Sequence, residues 1–203
     1  MRFIPSLPYT CLLYRQEASL ARVTHFAYPV SMTILLHVCC GPCSTASIER
    51  LIAEGWTVVL YFSNSNIYPE AEHAKRYGEL LKVAALHKME VITEVYDHEK
   101  WLGFIAGLEG EREGGARCRA CFAYNLAQAH DKARELGIEH FSTTLTVSRF
   151  KNSRQIFSVG ERFDGFEAID FKKRGGFERS IRLAKEMNLY RQHYCGCEFS
   201  IRS

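Results

Sequence analysis

Residues 33–44 read TILLHVCCGPCS. The run Thr33–Val38 is short, apolar and bounded by loop residues, the pattern of a strand buried on both faces of a parallel sheet. Cys39, Cys40 and Cys43 follow it at once. In an open α/β sheet the loop after a strand's carboxyl end is the usual ligand site. Nucleotide-binding folds often set a glycine-rich phosphate cradle there. This chain has neither a P-loop nor GxGxxG, so the loop reads as a site for thiol chemistry rather than phosphate.

The pattern continues outward as strand and helix in alternation. Ser44 is placed to cap a helix running to Gly55. TVVLYF (57–62) reads as a second strand, and SNSNIY as a polar loop. Pro69 suits the first turn of a helix ending near Lys88, with Ala74, Leu81, Ala84 and Ala85 expected on its inner face. MEVITEVY (89–96) reads as a third strand and Glu99–Leu108 as a short helix. The glycine-bearing loop EGEREGGAR (109–117) precedes a long helix from Cys118 to Leu136, stopped by Gly137. HFSTTLT (140–146) and FEAIDF (166–171) read as strands, 152–163 and GGFERSIRLAKEMN as helices, and the tail as irregular. The expected fold class is α/β, a Rossmann-like parallel sheet flanked by helices, with the cysteine site at the strands' carboxyl ends. Residues 1–31 show no period and read as an N-terminal extension, either a disordered arm or a stretch ahead of a true start at Met32, before a single domain at 32–203.

Eight cysteines in 203 residues are many. A chain this long can bury a core without disulfide staples. No clean signal peptide is legible, since Arg15 and Glu17 break the early apolar pattern. Metal-bound or catalytic thiols in a cytoplasmic protein are therefore expected. Cys118 and Cys121, at i and i+3 of a helix start, present both sulfurs on one face. The positive end of the helix favours thiolates there. Four thiolates from Cys39, Cys40, Cys118 and Cys121 would satisfy a [4Fe–4S] cluster. A structural zinc is the plainer alternative, although adjacent cysteines at a strand end are unusual for zinc ribbons. A disulfide between Cys195 and Cys197 would close a small strained ring that is easy to reduce, which suits an electron relay. One of that pair ligating iron is the competing reading. Cys43 is a second-metal ligand or a bystander, and Cys11 is neither ligand nor relay.

Hydrophobic residues make up 47% and charged residues 24%, ordinary for a folded globular chain. No apolar run nears the ~20 residues of a membrane helix. Charge is uneven: residues 146–203 hold 12 Lys and Arg against 7 Asp and Glu, whereas residues 1–145 hold 14 against 16. A basic C-terminal third fits a polyanionic partner such as RNA, though a solvated charged face explains it as simply. Arg149, Lys151, Arg154, Lys172, Lys173 and Arg174 are the candidate phosphate contacts. Tyr68 and Phe122 are candidate stacking surfaces. Arg191, His193 and Tyr194 stand beside the Cys195 pair as candidate proton donors, and His37 reads as a core residue.

Six phrases together resemble the QueH family of epoxyqueuosine reductases: LLHVCCGPCS, YFSNSNIYPEAEHAKR, GGARCRACF, FSTTLTVSRFKN, DFKKRGG and LYRQHYCGC. They extend over nearly everything from Met32 to Cys197. The resemblance implies a fold like adenine-nucleotide α-hydrolase-like domains. It implies reduction of epoxyqueuosine to queuosine at the anticodon wobble position of tRNA, without cobalamin, with electrons from an external donor. It makes Cys39, Cys40, Cys118 and Cys121 the cluster ligands and Cys195 and Cys197 the redox-active pair. Some members hold an additional iron beside the cluster, with an aspartate where this chain has Cys43, so Cys43 is the candidate ligand for a second iron here. The rival functions are a zinc-stabilised RNA-binding module and a thiol–disulfide oxidoreductase. A tRNA-thiolating enzyme that activates nucleotides is disfavoured by the missing phosphate loop.

Overall fold

The computed structural model describes residues 32–149 and 151–201. The N-terminal extension, with Cys11, lies outside the described residues. Four parallel strands, β1 (Thr33–His37), β2 (Thr57–Phe62), β3 (Val91–Thr93) and β4 (His140–Thr143), form one sheet in the order β3-β2-β1-β4. The chain steps outward from β1 to β3, then returns to β1's other edge as β4. That reversal opens a crevice beyond the carboxyl ends of β1 and β4.

Two apolar layers sandwich the sheet. Alternation along β1 sends Ile34 and Leu36 to one face and Leu35 to the other. The first face packs under α1 (Gly41–Ala53), α2 (Glu70–His87) and α6 (Gly176–Glu186), with Ile48, Leu51, Leu80, Val83 and Ala184 in its core. The second packs under α4 (Ala116–Glu135) and α5 (Ser153–Gly160), through Phe122, Leu126, Ala129 and Ile156. A short helix, α3 (His98–Phe104), buries Trp101 against Tyr124 and Cys197.

Several expected elements shift for identifiable reasons. Helix α1 begins at Gly41 rather than after Ser44, with Cys40 as its N-cap and Pro42 in its first turn. Ser44 instead donates its hydroxyl to the Gly41 carbonyl at 2.7 Å. Cys43 therefore sits inside the first turn. Gly41 is required there, since a Cβ would come within 2.6 Å of the Glu79 carbonyl oxygen. Strand β4 stops at Thr143, whose hydroxyl accepts the Leu145 N–H at 3.1 Å and turns the chain into a 3-10 helix, Thr144–Val147. The expected strand at 166–171 is reduced to one bridge between Phe141 and Phe166. The strand expected over 89–96 pairs only at Val91–Thr93.

The inner face of α2 is the largest departure. Ala74, Leu81 and Ala85 are exposed, while Glu72, Arg76, Glu79, Leu80, Val83 and Ala84 are buried. The apolar residues of the second half meet the sheet. The charged residues of the first half meet a polar tail, which apolar periodicity cannot reveal. Arg76, 1% exposed, pairs with Glu72 at 2.7 Å and donates to the Cys195 and Tyr194 carbonyls at 3.0 and 3.4 Å. Glu72 also accepts from the Tyr190 hydroxyl, and Glu79 accepts the Tyr190 N–H at 3.0 Å. The tail from Tyr190 to Cys197 is thus strapped to α2. Arg76→Met should leave Glu72 buried without its cation and destabilise the fold by about 3 kcal/mol. Denaturant unfolding would measure this. Limited proteolysis should then cut first within 190–197, and an unchanged cleavage pattern would contradict the strap.

Candidate metal and redox site

The crevice beyond β1 and β4 gathers the thiols. A narrow cavity of about 20 Å³ is bounded by Cys39, Cys121 and Cys195 together with Asn66, Arg76 and Lys151. A roomier pocket, bounded by His130, Arg134, Phe141 and Asp164, lies at the amino end of β4 and holds no cysteine.

Cys39 and Cys40 are placed by the end of β1 and Cys43 by the first turn of α1. Their sulfurs lie within 4.8 Å of one another, the one such cluster of potential ligands among the described residues. Cys40 and Cys43 are 2.7 Å apart, and Cys39 and Cys40 3.9 Å. The sequence grouping of Cys39 and Cys40 with Cys118 and Cys121 is not this closest set. Cys118 and Cys121 approach from the first turns of α4. Cys118 packs against the apolar cluster that contains Cys39 and Cys40, and Cys121 faces the cavity. The loop before α4 is folded back by Arg117, whose guanidinium donates to the Glu109 carbonyl at 2.6 Å and to the Glu111 carbonyl.

Donors converge on these sulfurs. The Thr144 hydroxyl donates to Cys39 at 3.5 Å, and the Gln192 side-chain amide to Cys40 at 3.3 Å. The Gly114 N–H donates to Cys118 at 3.1 Å. The Asn125 amide reaches Cys121 at 3.9 Å. The indole N–H of Trp101 is fully buried without a hydrogen-bond partner, and Cys121 packs against the cluster that contains Trp101. A ring of N–H and O–H groups aimed at sulfur is what metal-bound thiolates need to spread their charge.

Without a cation, the thiols resist ionising together. Burial pushes Cys40 up to about 12 and raises Cys118, Cys121 and Cys197. Cys43 is raised by the neighbouring Cys39 and Cys40 sulfurs. Cys39 alone is drawn well below the ordinary thiol range, because the Cys40 and Cys43 thiols bond to it. Such a set releases its protons when a soft cation arrives. The donor chemistry therefore fits a thiolate-held metal centre.

The tail brings the remaining pair. All seven described cysteines are free thiols, so the Cys195–Cys197 disulfide is not formed here. Gly196 between them has φ 149°, and its carbonyl accepts the Tyr68 N–H at 2.9 Å. A Cβ on Gly196 would crowd Asn66, Ile67 and Arg76 at 3.3–3.4 Å.

Other expected residues divide. His37 is buried with its ring nitrogens on the Thr143 hydroxyl and the Ser63 carbonyl, a core role that also ties β1 to β4. Phe122, 6% exposed, belongs to the core and offers no stacking surface, whereas Tyr68 is 44% exposed beside His98. Arg149, Arg154, Lys173 and Arg174 are exposed. Lys172 is half-buried and donates to the Lys151 carbonyl at 2.8 Å. Lys151 turns into the cavity instead of outward. Gln192, Asn125, Trp101 and Thr144 escaped the sequence reading, because nothing in their spacing marks them. The SNSN phrase carried a signal: Asn64 and Asn66 line the cavity from the carboxyl end of β2.

No helix among the described residues is long and apolar enough to cross a membrane. The family model for epoxyqueuosine reductase QueH matches residues 34–203. The epoxyqueuosine reductase QueH of Streptococcus pyogenes is 36% identical over 184 residues, 85% of this chain and 72% of that protein. The Haemophilus influenzae protein of the same name is 35% identical over 175 residues, 83% of this chain and 71% of its own. That of Thermotoga maritima is 34% identical over 177 residues, 83% and 90%. The chain belongs to the QueH family of epoxyqueuosine reductases.

Proposed function

We propose that this protein reduces the epoxide of epoxyqueuosine in tRNA, at the anticodon wobble position, to give queuosine in the cytoplasm, without cobalamin. Cys39, Cys40, Cys118 and Cys121 would hold a [4Fe–4S] cluster, and Cys195 with Cys197 would be the redox-active pair. The observation that carries this reading is the ring of donors, which puts an N–H or O–H on each of those four sulfurs. A bound cluster supplies single electrons at low potential. Cys43 stands against Cys39 and Cys40 and is the candidate ligand for an additional iron. Residues 32–203 act as the single catalytic domain, with residues 1–31 an extension to it.

The reaction needs two electrons and two protons: the epoxide becomes a carbon–carbon double bond and its oxygen leaves as water. Two thiols going to one disulfide release the same number of each. Cys195 and Cys197 thus match the stoichiometry, and an external donor must restore them. Arg76, paired with Glu72, holds the Cys195 backbone at the cavity. Buried Asn64 and Asn66 give the wall polar groups for a hydroxylated ring. The modified base must leave its stack to enter, and exposed Tyr68 is the aromatic surface beside the tail. Lys173, Arg174, Arg154 and Arg149 supply positive charge for the phosphate backbone.

The compact Cys39–Cys40–Cys43 trio favours one rival, a single zinc ion in a non-catalytic RNA-binding module. Anaerobic purification separates the two. A brown protein with iron and sulfide that converts epoxyqueuosine-tRNA under a strong reductant is expected, and a colourless zinc protein rejects the cluster. Cys118→Ser should lose both the colour and the conversion, and full activity in that variant would remove Cys118 from the ligand set. Replacing Lys173 and Arg174 together by Ala should weaken tRNA binding and reduce the slope of log affinity against log salt by about 2. An unaltered slope takes them out of the interface.

A further inference from the structure

We propose that Cys40 and Cys43 form a second redox pair, a reversible disulfide that takes Cys40 out of the ligand set and so gates metal loading. The gating rests on the reading of Cys40 as a metal ligand, whereas the pair itself stands on geometry. In sequence the two form Cys40-Gly41-Pro42-Cys43, directly after a parallel strand and across the first turn of the 13-residue helix α1. A Cys-x-x-Cys pair at such a helix start is the layout of thiol–disulfide exchange proteins. A spacing of three residues sets side chains on one helical face. Here it brings the Cys43 sulfur to 2.7 Å from that of the N-cap, Cys40. A disulfide needs about 2.05 Å between sulfurs, which small rotations of the two side chains supply. Cys39 is the poorer partner, with its sulfur 3.9 Å from that of Cys40. A bond between those adjacent residues would also close a strained ring.

The backbone holds the pair in place. Gly41 packs against the Glu79 carbonyl of α2, and Pro42 fixes the first turn of α1. The Ser44 N–H donates to the Cys40 carbonyl at 3.3 Å, and the Ser47 hydroxyl to the Cys43 carbonyl at 3.0 Å. Cys43 is half-buried while Cys39 and Cys40 are buried, so Cys43 is the sulfur that an oxidant meets first. The oxidant is a small-molecule disulfide of the glutathione class. The Cys43 sulfur attacks one of its sulfurs, forms a mixed disulfide and expels one small thiol. The Cys40 sulfur then attacks that of Cys43, and the second small thiol leaves. One dithiol and one disulfide become one disulfide and two thiols, with atoms and electrons balanced. A dithiol reductant reverses the exchange. While the bond stands, Cys40 has no thiolate to offer a metal.

The test treats the full, metal-free chain with oxidised glutathione and reads two signals. In peptide mass mapping, the fragment bearing Cys39, Cys40 and Cys43 should be lighter by two hydrogens. That loss should persist in Cys39→Ser and vanish in Cys43→Asp. A bond that vanishes in Cys39→Ser overturns the pair, as does a fragment whose three thiols stay free or carry only glutathione. Cobalt(II), which colours thiolate sites and needs no added sulfide, is the probe of loading. The oxidised parent should bind it at least about 10-fold more weakly than the reduced parent, and dithiothreitol should restore binding. Oxidised Cys43→Asp should bind as its own reduced form does. Its Cys195 and Cys197 are exposed to the same oxidant, so that pair cannot account for the block. Equal binding by oxidised and reduced parent overturns the gating, as does a block that persists in Cys43→Asp. A reduced parent that binds no cobalt instead rejects the thiolate metal centre beneath the gating, while the mapped bond still decides the pair.

Discussion

The buried guanidinium of Arg76 is the interaction on which the site depends. It is 1% exposed and spends its hydrogen bonds on one carboxylate and two tail carbonyls. A buried cation is tolerable only when its donors are taken and a countercharge is near. Glu72 supplies the charge and the tail supplies the carbonyls, so guanidinium and tail stabilise each other. The sheet would form without this arrangement. The cavity would not, because the wall bearing Cys195 has no strand or helix of its own to hold it.

This constraint explains why three parts of the sequence far apart along the chain share one chemistry. Parallel pairing of β1 with β4 opens the crevice and sets Cys39 beside Thr144. The first turns of α4 carry Cys118 and Cys121 to the crevice from the opposite layer. The tail closes the remaining side and brings Gln192 to Cys40. Each sulfur group is positioned by a different element, and none of the three segments could form the cup alone. Thiols crowded in this way keep their protons until a soft cation displaces them.

The alternating pattern made most of the fold legible, because a strand buried on both faces and a helix with one apolar stripe leave distinct periods. Thr57–Phe62 and the end of α4 before Gly137 needed nothing further. The errors fall where polar groups replace apolar packing. Helix α2 buries Glu72, Arg76 and Glu79 toward the tail, which no hydrophobic period can predict. Helix α1 starts one turn early because Cys40 caps it through its backbone alone. At the site, the cysteines announced themselves by type and grouping, whereas Gln192 and Asn125 act by direction, and direction is set only in three dimensions. Lys151 shows the same limit: Arg149 and Arg154 are exposed, while it lines the cavity.

The tail that completes the cup follows all four proposed ligands in chain order. A growing chain therefore exposes the walls before it has the strap. Residues 39–43 and 118–121 can share the crevice once β4 has paired with β1, ahead of the tail in chain order. Only when residues 190–197 emerge and find Arg76 does the crevice become an enclosed chamber. In chain order the Cys195 and Cys197 thiols are thus the last to reach the crevice.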